Sequence, residues 1–73
     1  MSLLSVSKGQ SVILRDIDWG MKLKRKLQEM GLTPGVRINM IQRPAFGPCV
    51  VEVRGTRLAL GRGIVSKIFV DLI

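Results

Sequence analysis

The stretch Leu27-Gln28-Glu29-Met30-Gly31-Leu32-Thr33-Pro34-Gly35 separates one predicted strand and a helix from a part that is almost entirely short strands. Gly31 stands where a helix that ends in a left-handed residue needs glycine, and Leu32 can then pack back on Leu27 in a Schellman motif. Thr33-Pro34-Gly35-Val36 has proline and glycine at its second and third positions, which is typical of a type II turn. The stretch therefore predicts the end of a helix and an immediate turn into a strand.

Apolar residues at helical spacing precede this stretch. Leu23, Leu27 and Met30 fall within one narrow arc of a helix, and basic residues take the opposite side. The pattern predicts a short amphipathic helix over 21–30, with a basic outer face and with Asp18 as its N-cap. A helix of this length is marginal alone in water, so it must dock on the rest of the chain.

Short apolar runs separated by turn residues make up the remainder of the sequence. An alternating run predicts a first strand at 11–16, and four more strands are predicted at 36–42, 49–53, 56–60 and 68–72. Prolines and a glycine place 44–48 in a loop, Arg54-Gly55 has the length of a hairpin connection, and 64–67 suits one helical turn. In the fourth strand, Leu58 and Leu60 are expected to point inward.

Length and pattern together predict a single, mainly β domain over residues 1–73. Five short strands in 73 residues predict a small barrel, because closure removes the edges that short strands would otherwise expose. An SH3-like barrel and an OB-fold are both candidates. An OB-fold usually carries its helix between the third and fourth strands. Here the amphipathic helix lies between the first and second, with a one-turn helix before the last strand, which favours the SH3-like five-stranded barrel.

Charge and composition limit the possible functions. Twelve Lys and Arg against five Asp and Glu leave a net charge of +7, which favours an anionic partner such as nucleic acid, phospholipid or an acidic protein face. The alternative is a charge that serves only solubility. A single cysteine excludes an intramolecular disulfide and suits a reducing compartment. No signal peptide and no apolar run of about 20 residues is present, so we expect a cytoplasmic protein.

The residues that carry catalysis or bind metals are scarce. Histidine is absent, so Cys49 has no base partner, and the acids show no catalytic spacing; we expect no enzyme. A selective Fe²⁺ or Zn²⁺ site needs imidazole, thiolate or clustered carboxylates, and helix capping explains Asp16 and Asp18 better. We therefore expect no metal ligands and no cofactor in one chain. The aromatic residues Trp19, Phe46 and Phe69 are too few to line a groove for proline-rich peptides.

The stretch at 27–35 resembles the L-x-E-[LM]-G-[LI]-x-P-G segment of the FeoA family, ferrous iron transport protein A. The resemblance continues in order with Phe46-Gly47-Pro48, Gly55, Leu58-Ala59-Leu60 and the closing stretch 64–70, and so covers nearly the whole chain. It implies a cytoplasmic SH3-like protein that supports bacterial ferrous iron uptake, with the membrane GTPase transporter FeoB as its protein partner. The same domain type occurs at the C-terminus of iron-dependent repressors, and a free-standing relative of that domain is an alternative.

The basic helix and the exposed loop at 43–48, taken together with the resemblance, suggest a surface for the partner. The predicted contact residues are Lys22, Arg25, Lys26, Arg43 and Phe46. The alternative is that the lysines are only a solvated face and that Phe46 caps the barrel. A structural role is assigned to Leu27, Gly31, Leu32, Pro34, Gly35, Gly47, Pro48 and Gly55.

Non-specific binding of nucleic acid is the rival function. Basic residues lie on the helix and along the strands and loops: Lys22, Lys24, Arg25, Lys26, Arg37, Arg43, Arg54, Arg57 and Arg62. Small barrels that bind single strands normally add aromatic platforms on which bases stack. Two of the three aromatic residues are expected to serve the core instead, which weakens this interpretation.

Overall fold

Five antiparallel strands and two short helices form the fold, which a computed structural model describes over residues 1–73. The strands lie in the order β4-β3-β2-β1-β5. The elements follow a 3₁₀ turn at Leu3–Ser5 and are, in order, β1 (Ser11–Ile17), α1 (Met21–Glu29), β2 (Arg37–Gln42), β3 (Cys49–Val53), β4 (Thr56–Leu60), α2 (Arg62–Val65) and β5 (Ile68–Leu72). This is the element order that the sequence predicts.

The stretch between α1 and β2 has the predicted geometry. Gly31 has φ of +100°, and its N–H donates to the Gln28 carbonyl at 3.0 Å. The Leu32 N–H donates to the Leu27 carbonyl at 3.0 Å, and both leucine side chains are buried. These two bonds define a Schellman motif. A type II turn follows directly, since Gly35 has φ of +90° and the N–H of residue 36 donates to the carbonyl of residue 33 at 3.1 Å.

Some element boundaries differ from the predicted ones. β2 begins at Arg37 and not at Val36, because Val36 still belongs to the turn. The helical turn α2 begins two residues before the predicted 64–67. Gly61 adopts an extended conformation at φ −61° and ψ 150° and acts as the N-cap, with the Val65 N–H donating to its carbonyl at 3.0 Å. The prediction missed this start because it treated Gly61-Arg62-Gly63 as a break.

The two edge strands of the sheet, β4 and β5, differ in whether their outer edges are covered. Irregular pairing between Leu14 and Asp16 in β1, and in the second half of β2, bends the sheet. No hydrogen bonds join β4 to β5. Met1 and Val70 exchange backbone hydrogen bonds of 3.1 and 2.7 Å, so the N-terminal residues cover the outer edge of β5. The outer edge of β4 has no such cover, and this edge would be absent from a fully closed barrel.

The core is entirely apolar. Seventeen side chains are buried and none is polar or charged, so every charge of the chain lies at the surface. Leu27 of α1 and Leu32 of the Schellman motif that follows it both pack in this core. Leu60 points inward as predicted, whereas Leu58 is only half-buried. Met30 is 40% exposed, contrary to the prediction, because α1 ends at residue 29 and Met30 is its C-cap.

Candidate functional site

Asp16 ties α1 to β1. Its carboxylate accepts hydrogen bonds from the Ile17 N–H at 2.8 Å and from the Lys24 ammonium at 3.2 Å. The Ile17 N–H, and then Lys24, hold the pKa of Asp16 below its ordinary value, because both donors favour the ionised carboxylate. The helix is therefore attached at its first turns through a side-chain contact and at its end through the buried Leu27.

The predicted N-cap at Asp18 is wrong. The N-cap is Gly20, and no side chain caps the helix. The backbone N–H of Asp18 donates instead to the carbonyl of Lys67 at 2.8 Å, which extends the pairing of β1 with β5. Asp18 lies two residues before this N-cap, so Trp19 and Gly20 stand between it and Met21, the first residue of the helix. Asp16 does not cap the helix either, because its carboxylate accepts from the Ile17 N–H and from Lys24 and no side chain caps α1.

The basic helix face consists of Lys22, Arg25 and Lys26, and all three side chains are exposed. Only two ion pairs occur in the chain, Lys24 with Asp16 and Arg15 with Asp71 at 3.9 Å. The three residues of the basic helix face thus have no carboxylate within 4.0 Å. Their positive charge is available to a partner.

The loop at 43–48 presents a solvated aromatic ring. Phe46 is 89% exposed, more than any other large apolar side chain, so it does not cap the barrel. The base of the loop is held by two arginines. Arg62 donates to the Pro44 carbonyl at 2.7 Å, and Arg43 donates through Nε to the Leu4 carbonyl at 2.6 Å. The loop therefore keeps its base fixed and offers its tip to solvent.

Lys8 and Arg62 also lie in this region. The sequence reasoning selected neither of them for the protein partner, although it counted Arg62 among the basic residues that favour nucleic-acid binding. The Gly9 N–H donates to the Met40 carbonyl at 2.7 Å, which brings the turn that contains Lys8 beside the end of β2. Lys8 then lines a shallow depression with Gln42, Arg43 and Pro44. We call Lys8, Arg43, Phe46 and Arg62 the loop cluster. The turn residues around Lys8 were visible in the sequence, but their position beside β2 was not.

The structure separates the five predicted contact residues into two groups. Pro34-Gly35, which follows the helix, precedes β2, whereas the loop at 43–48 follows it. β2 therefore lies between the end of the helix and the loop, and its six residues span about 17 Å at the usual rise of an antiparallel strand. The basic helix face and the loop cluster thus belong to elements on opposite sides of β2 in the chain.

The aromatic residues do not occupy the positions that were expected of them. None of the three is buried: Trp19 is 42% exposed, Phe46 is exposed and Phe69 is half-buried. The expectation that two of them serve the core is wrong, because aliphatic side chains fill the interior. Trp19 instead lies in the exposed connection between β1 and α1.

The structure brings no set of possible metal ligands together. No three Cys, Asp or Glu side chains lie close enough together to hold one ion. The single thiol, Cys49, is fully buried in the core, where its neighbours are apolar. The residues present therefore do not fit a resident iron or zinc ion. Neither helix is long and apolar enough to cross a membrane.

A family model, a related sequence and a solved structure all match this chain to FeoA proteins. The FeoA domain family model matches residues 1–72. A Methanocaldococcus jannaschii protein described as an Fe(2+) transport protein A is 33% identical over 69 residues. The match covers 94% of this chain and 83% of that one. A crystal structure of FeoA, described as an iron uptake regulatory protein, is 32% identical with a TM-score of 0.89, and the match covers 97% of this chain and 95% of that one.

Two further structures bear on the fold. The zinc complex of FeoA from Stenotrophomonas maltophilia, described as a procaryotic SH3 domain protein, is 25% identical with a TM-score of 0.84, over 97% of this chain and 89% of that one. A manganese-dependent transcriptional repressor shares the fold at 20% identity and a TM-score of 0.90, but this chain covers only 41% of it. The predicted SH3-like fold is confirmed, and the likeness to the repressor extends to the fold alone.

Proposed function

The chain belongs to the FeoA domain family, and from this we propose that it is a small cytoplasmic accessory protein of ferrous iron uptake that binds and regulates a FeoB-type membrane GTPase transporter. The family match over residues 1–72 carries the proposal, because it spans nearly the whole chain. The role is one of binding and not of catalysis. The buried Cys49 and the scattered carboxylates offer no nucleophile with a base and no acid–base pair.

The loop cluster supports a protein partner. A loop whose base is held by hydrogen bonds has less backbone freedom to lose on binding than an untethered loop. Aromatic and arginine side chains are also the residues that contribute most at the centres of protein interfaces. Phe46 with Arg43 and Arg62 beside it has this composition. We propose that Phe46 inserts into the partner and that the cations surround it.

We assign the basic helix face to a second contact with the same partner. A standard interface covers about 800 Å² on each partner, which corresponds to a patch roughly 30 Å across. The chain itself measures 28 × 25 × 22 Å, so an interface of that size can reach from one end of β2 to the other. Lys22, Arg25 and Lys26 lack intramolecular partners, so they favour an acidic region of the transporter and accelerate the encounter.

A binding experiment tests the role of the helix. The chain is captured on beads and used to pull down full-length FeoB, and the retained amount is compared between about 50 and 300 mM salt, a range over which screening of surface charge increases strongly. Charge reversal by Lys22→Glu, Arg25→Glu and Lys26→Glu together is expected to reduce retention and its salt dependence. Lys67→Glu changes an exposed lysine outside both groups and serves as the control. Unchanged retention by the triple variant would remove the helix from the surface.

Iron is, in this proposal, the cargo of the transporter and not a ligand of this chain. The absence of histidine and the burial of Cys49 leave only scattered carboxylates for a cation. Carboxylates in that arrangement do not select Fe²⁺ over other divalent ions. The accessory role therefore acts through contact with the transporter.

Nucleic-acid binding is the second candidate, and the exposure of Trp19 and Phe46 is the observation that favours it. Such rings can stack on bases, and the unpaired cations can neutralise phosphates. Fluorescence anisotropy with a labelled thymidine 20-mer tests it. Binding that falls steeply between about 50 and 200 mM salt supports this candidate, and a flat response or no binding excludes it.

A further inference from the structure

The outer edge of β4 is the one unpaired strand edge in the sheet. β4 pairs with β3 only, from Thr56 opposite Val53 to Leu60 opposite Cys49. The edge of β5 at the other end is covered by the N-terminal residues, through the Met1–Val70 bonds. An open edge presents N–H and C=O groups that another strand can pair with.

The turn between β3 and β4 determines which groups face outward. Arg54 and Gly55 have φ of 52° and 79°, the two positive values of a two-residue type I′ hairpin. In such a hairpin the flanking residues exchange hydrogen bonds, and bonded and non-bonded positions then alternate. Thr56, Leu58 and Leu60 therefore bond to β3, whereas the backbone groups of Arg57 and Ala59 point away from it. No hydrogen bond outside the β3 ladder reaches either residue.

Two arginines lie at this edge, Arg54 in the hairpin turn and Arg57 in β4. Both side chains are exposed and neither has a carboxylate within 4.0 Å, although Glu52 lies opposite Arg57 on β3. Arg57 lies in the edge strand itself and its side chain is exposed, as is that of Ala59. An incoming strand therefore meets two free amides and a positive field.

We propose that the β4 edge is a docking site for an acidic, extended protein segment that adds to the sheet as a sixth strand. Main-chain bonds to Arg57 and Ala59 supply the pairing, and the surrounding cations select acidic side chains. A second copy of this chain fits poorly. Joining two β4 edges would bring two sets of Arg54 and Arg57 together, and the β4 strands themselves contain no acid. This site lies outside the loop cluster and the basic helix face, and it does not depend on FeoB being the partner.

The test uses two synthetic peptides of about eight residues, one alternating Glu with Val and one alternating Lys with Val, a length that spans a typical strand. Amide hydrogen exchange of the wild-type protein is followed by NMR as each peptide is added. The acidic peptide is expected to slow exchange at Arg57 and Ala59 by at least about tenfold, as new hydrogen bonds do when they must open before exchange. The amide of Leu58 already bonds to β3 and is the internal reference. The basic peptide is expected to protect neither site.

Two variants separate strand addition from simple charge attraction. Ala59→Pro removes an outward N–H that has no intramolecular acceptor, a position where an edge strand tolerates proline, and it is expected to abolish binding while the fold is kept. Arg57→Glu is expected to weaken binding about threefold to tenfold through charge. Arg15→Glu makes the same charge change on β1, outside the β4 edge, the basic helix face and the loop cluster, and is expected to have little effect. If Ala59→Pro binds as wild type does, or if the acidic peptide leaves exchange at Arg57 and Ala59 unchanged, the proposal is wrong.

Discussion

Replacement of Gly31 by alanine tests the helix stop. Gly31 has φ of +100°, and an added Cβ would lie 3.7 Å from Val53 Cγ1 and 3.9 Å from Arg54 Cδ. These are ordinary van der Waals separations, so the neighbours impose no clash. The cost is that of holding an L-residue in a left-handed conformation, about 1–2 kcal/mol. In a domain of this size each kcal/mol shifts Tm by roughly 4–8 °C, so Gly31→Ala is expected to lower Tm by roughly 4–16 °C.

Gly63→Ala is the matched control, because it adds the same methyl group elsewhere. Gly63 lies within α2, has no positive φ, and an added Cβ there would meet no other atom within 4 Å. Alanine there is expected to raise stability by about 0.4–1 kcal/mol, since it reduces the freedom of the unfolded chain. Thermal and urea unfolding followed by circular dichroism measures both variants. Equal Tm shifts for the two variants would refute the left-handed assignment and the Schellman motif with it.

Three further predictions concern the core, acid stability and metals. Leu27→Ala is expected to cost about 2–5 kcal/mol, because the side chain is 2% exposed, and urea titration measures this. The folded pKa of Asp16 lies below its unfolded value, owing to the Ile17 N–H and then Lys24. Its contribution is therefore present above the unfolded pKa and is lost as pH falls through the folded one. The Tm advantage of wild type over Asp16→Asn should accordingly shrink below about pH 4; a constant difference contradicts the contact. Calorimetric titration of the chain with Fe²⁺ should show no site of micromolar affinity. Detection of such a site would contradict the statement that the residues present do not fit an iron ion.

The architecture was predictable where the signals are local. Gly31, Leu32 and Pro34-Gly35 impose the helix end and the turn through their own backbone preferences, and the structure has the predicted hydrogen bonds there. The strands at 49–53 and 56–60 also fall at the predicted positions, because Arg54-Gly55 permits only a tight hairpin. Local residue chemistry was sufficient for these elements.

Contacts between distant residues could not be predicted in the same way. The pairing of Met1 with Val70 joins opposite ends of the chain, and no local pattern marks it. Asp16 was assigned to capping because it precedes a helix, yet its partner is Lys24, which the bend of β1 into α1 brings within reach. The open edge of β4 likewise follows from the order of all five strands and not from the sequence of β4.

The candidate site was predictable in its residue types and not in its arrangement. Phe46, flanked by alanine and glycine between two prolines, was correctly placed in a loop, but only the structure shows that the ring is exposed and does not cap the barrel. Lys8 and Arg62 join Arg43 there through the pairing of a distant turn with β2 and through a bond to the Pro44 carbonyl. Side-chain exposure depends on how the elements pack, which composition does not determine.

Phe46 gives the most direct test of the proposed docking. Phenylalanine buries about 150 Å² when it is covered, and about 25 cal/mol per Å² makes that worth about 4 kcal/mol. Part of this is lost to ordering and desolvation, so Phe46→Ala is expected to weaken binding by at least about tenfold, or about 1.4 kcal/mol. Because the ring is 89% exposed, the same change should leave Tm nearly unaltered.

The decisive measurement is the calorimetric Kd of the chain for the cytoplasmic GTPase domain of a FeoB-type transporter from the same organism. Wild type, Phe46→Ala and Leu72→Ala are compared, the last as an exposed apolar side chain of β5 that belongs to neither patch. The account predicts measurable binding by wild type and Leu72→Ala and a Kd at least about tenfold higher for Phe46→Ala. No binding by wild type, or the same Kd for all three proteins, would contradict it.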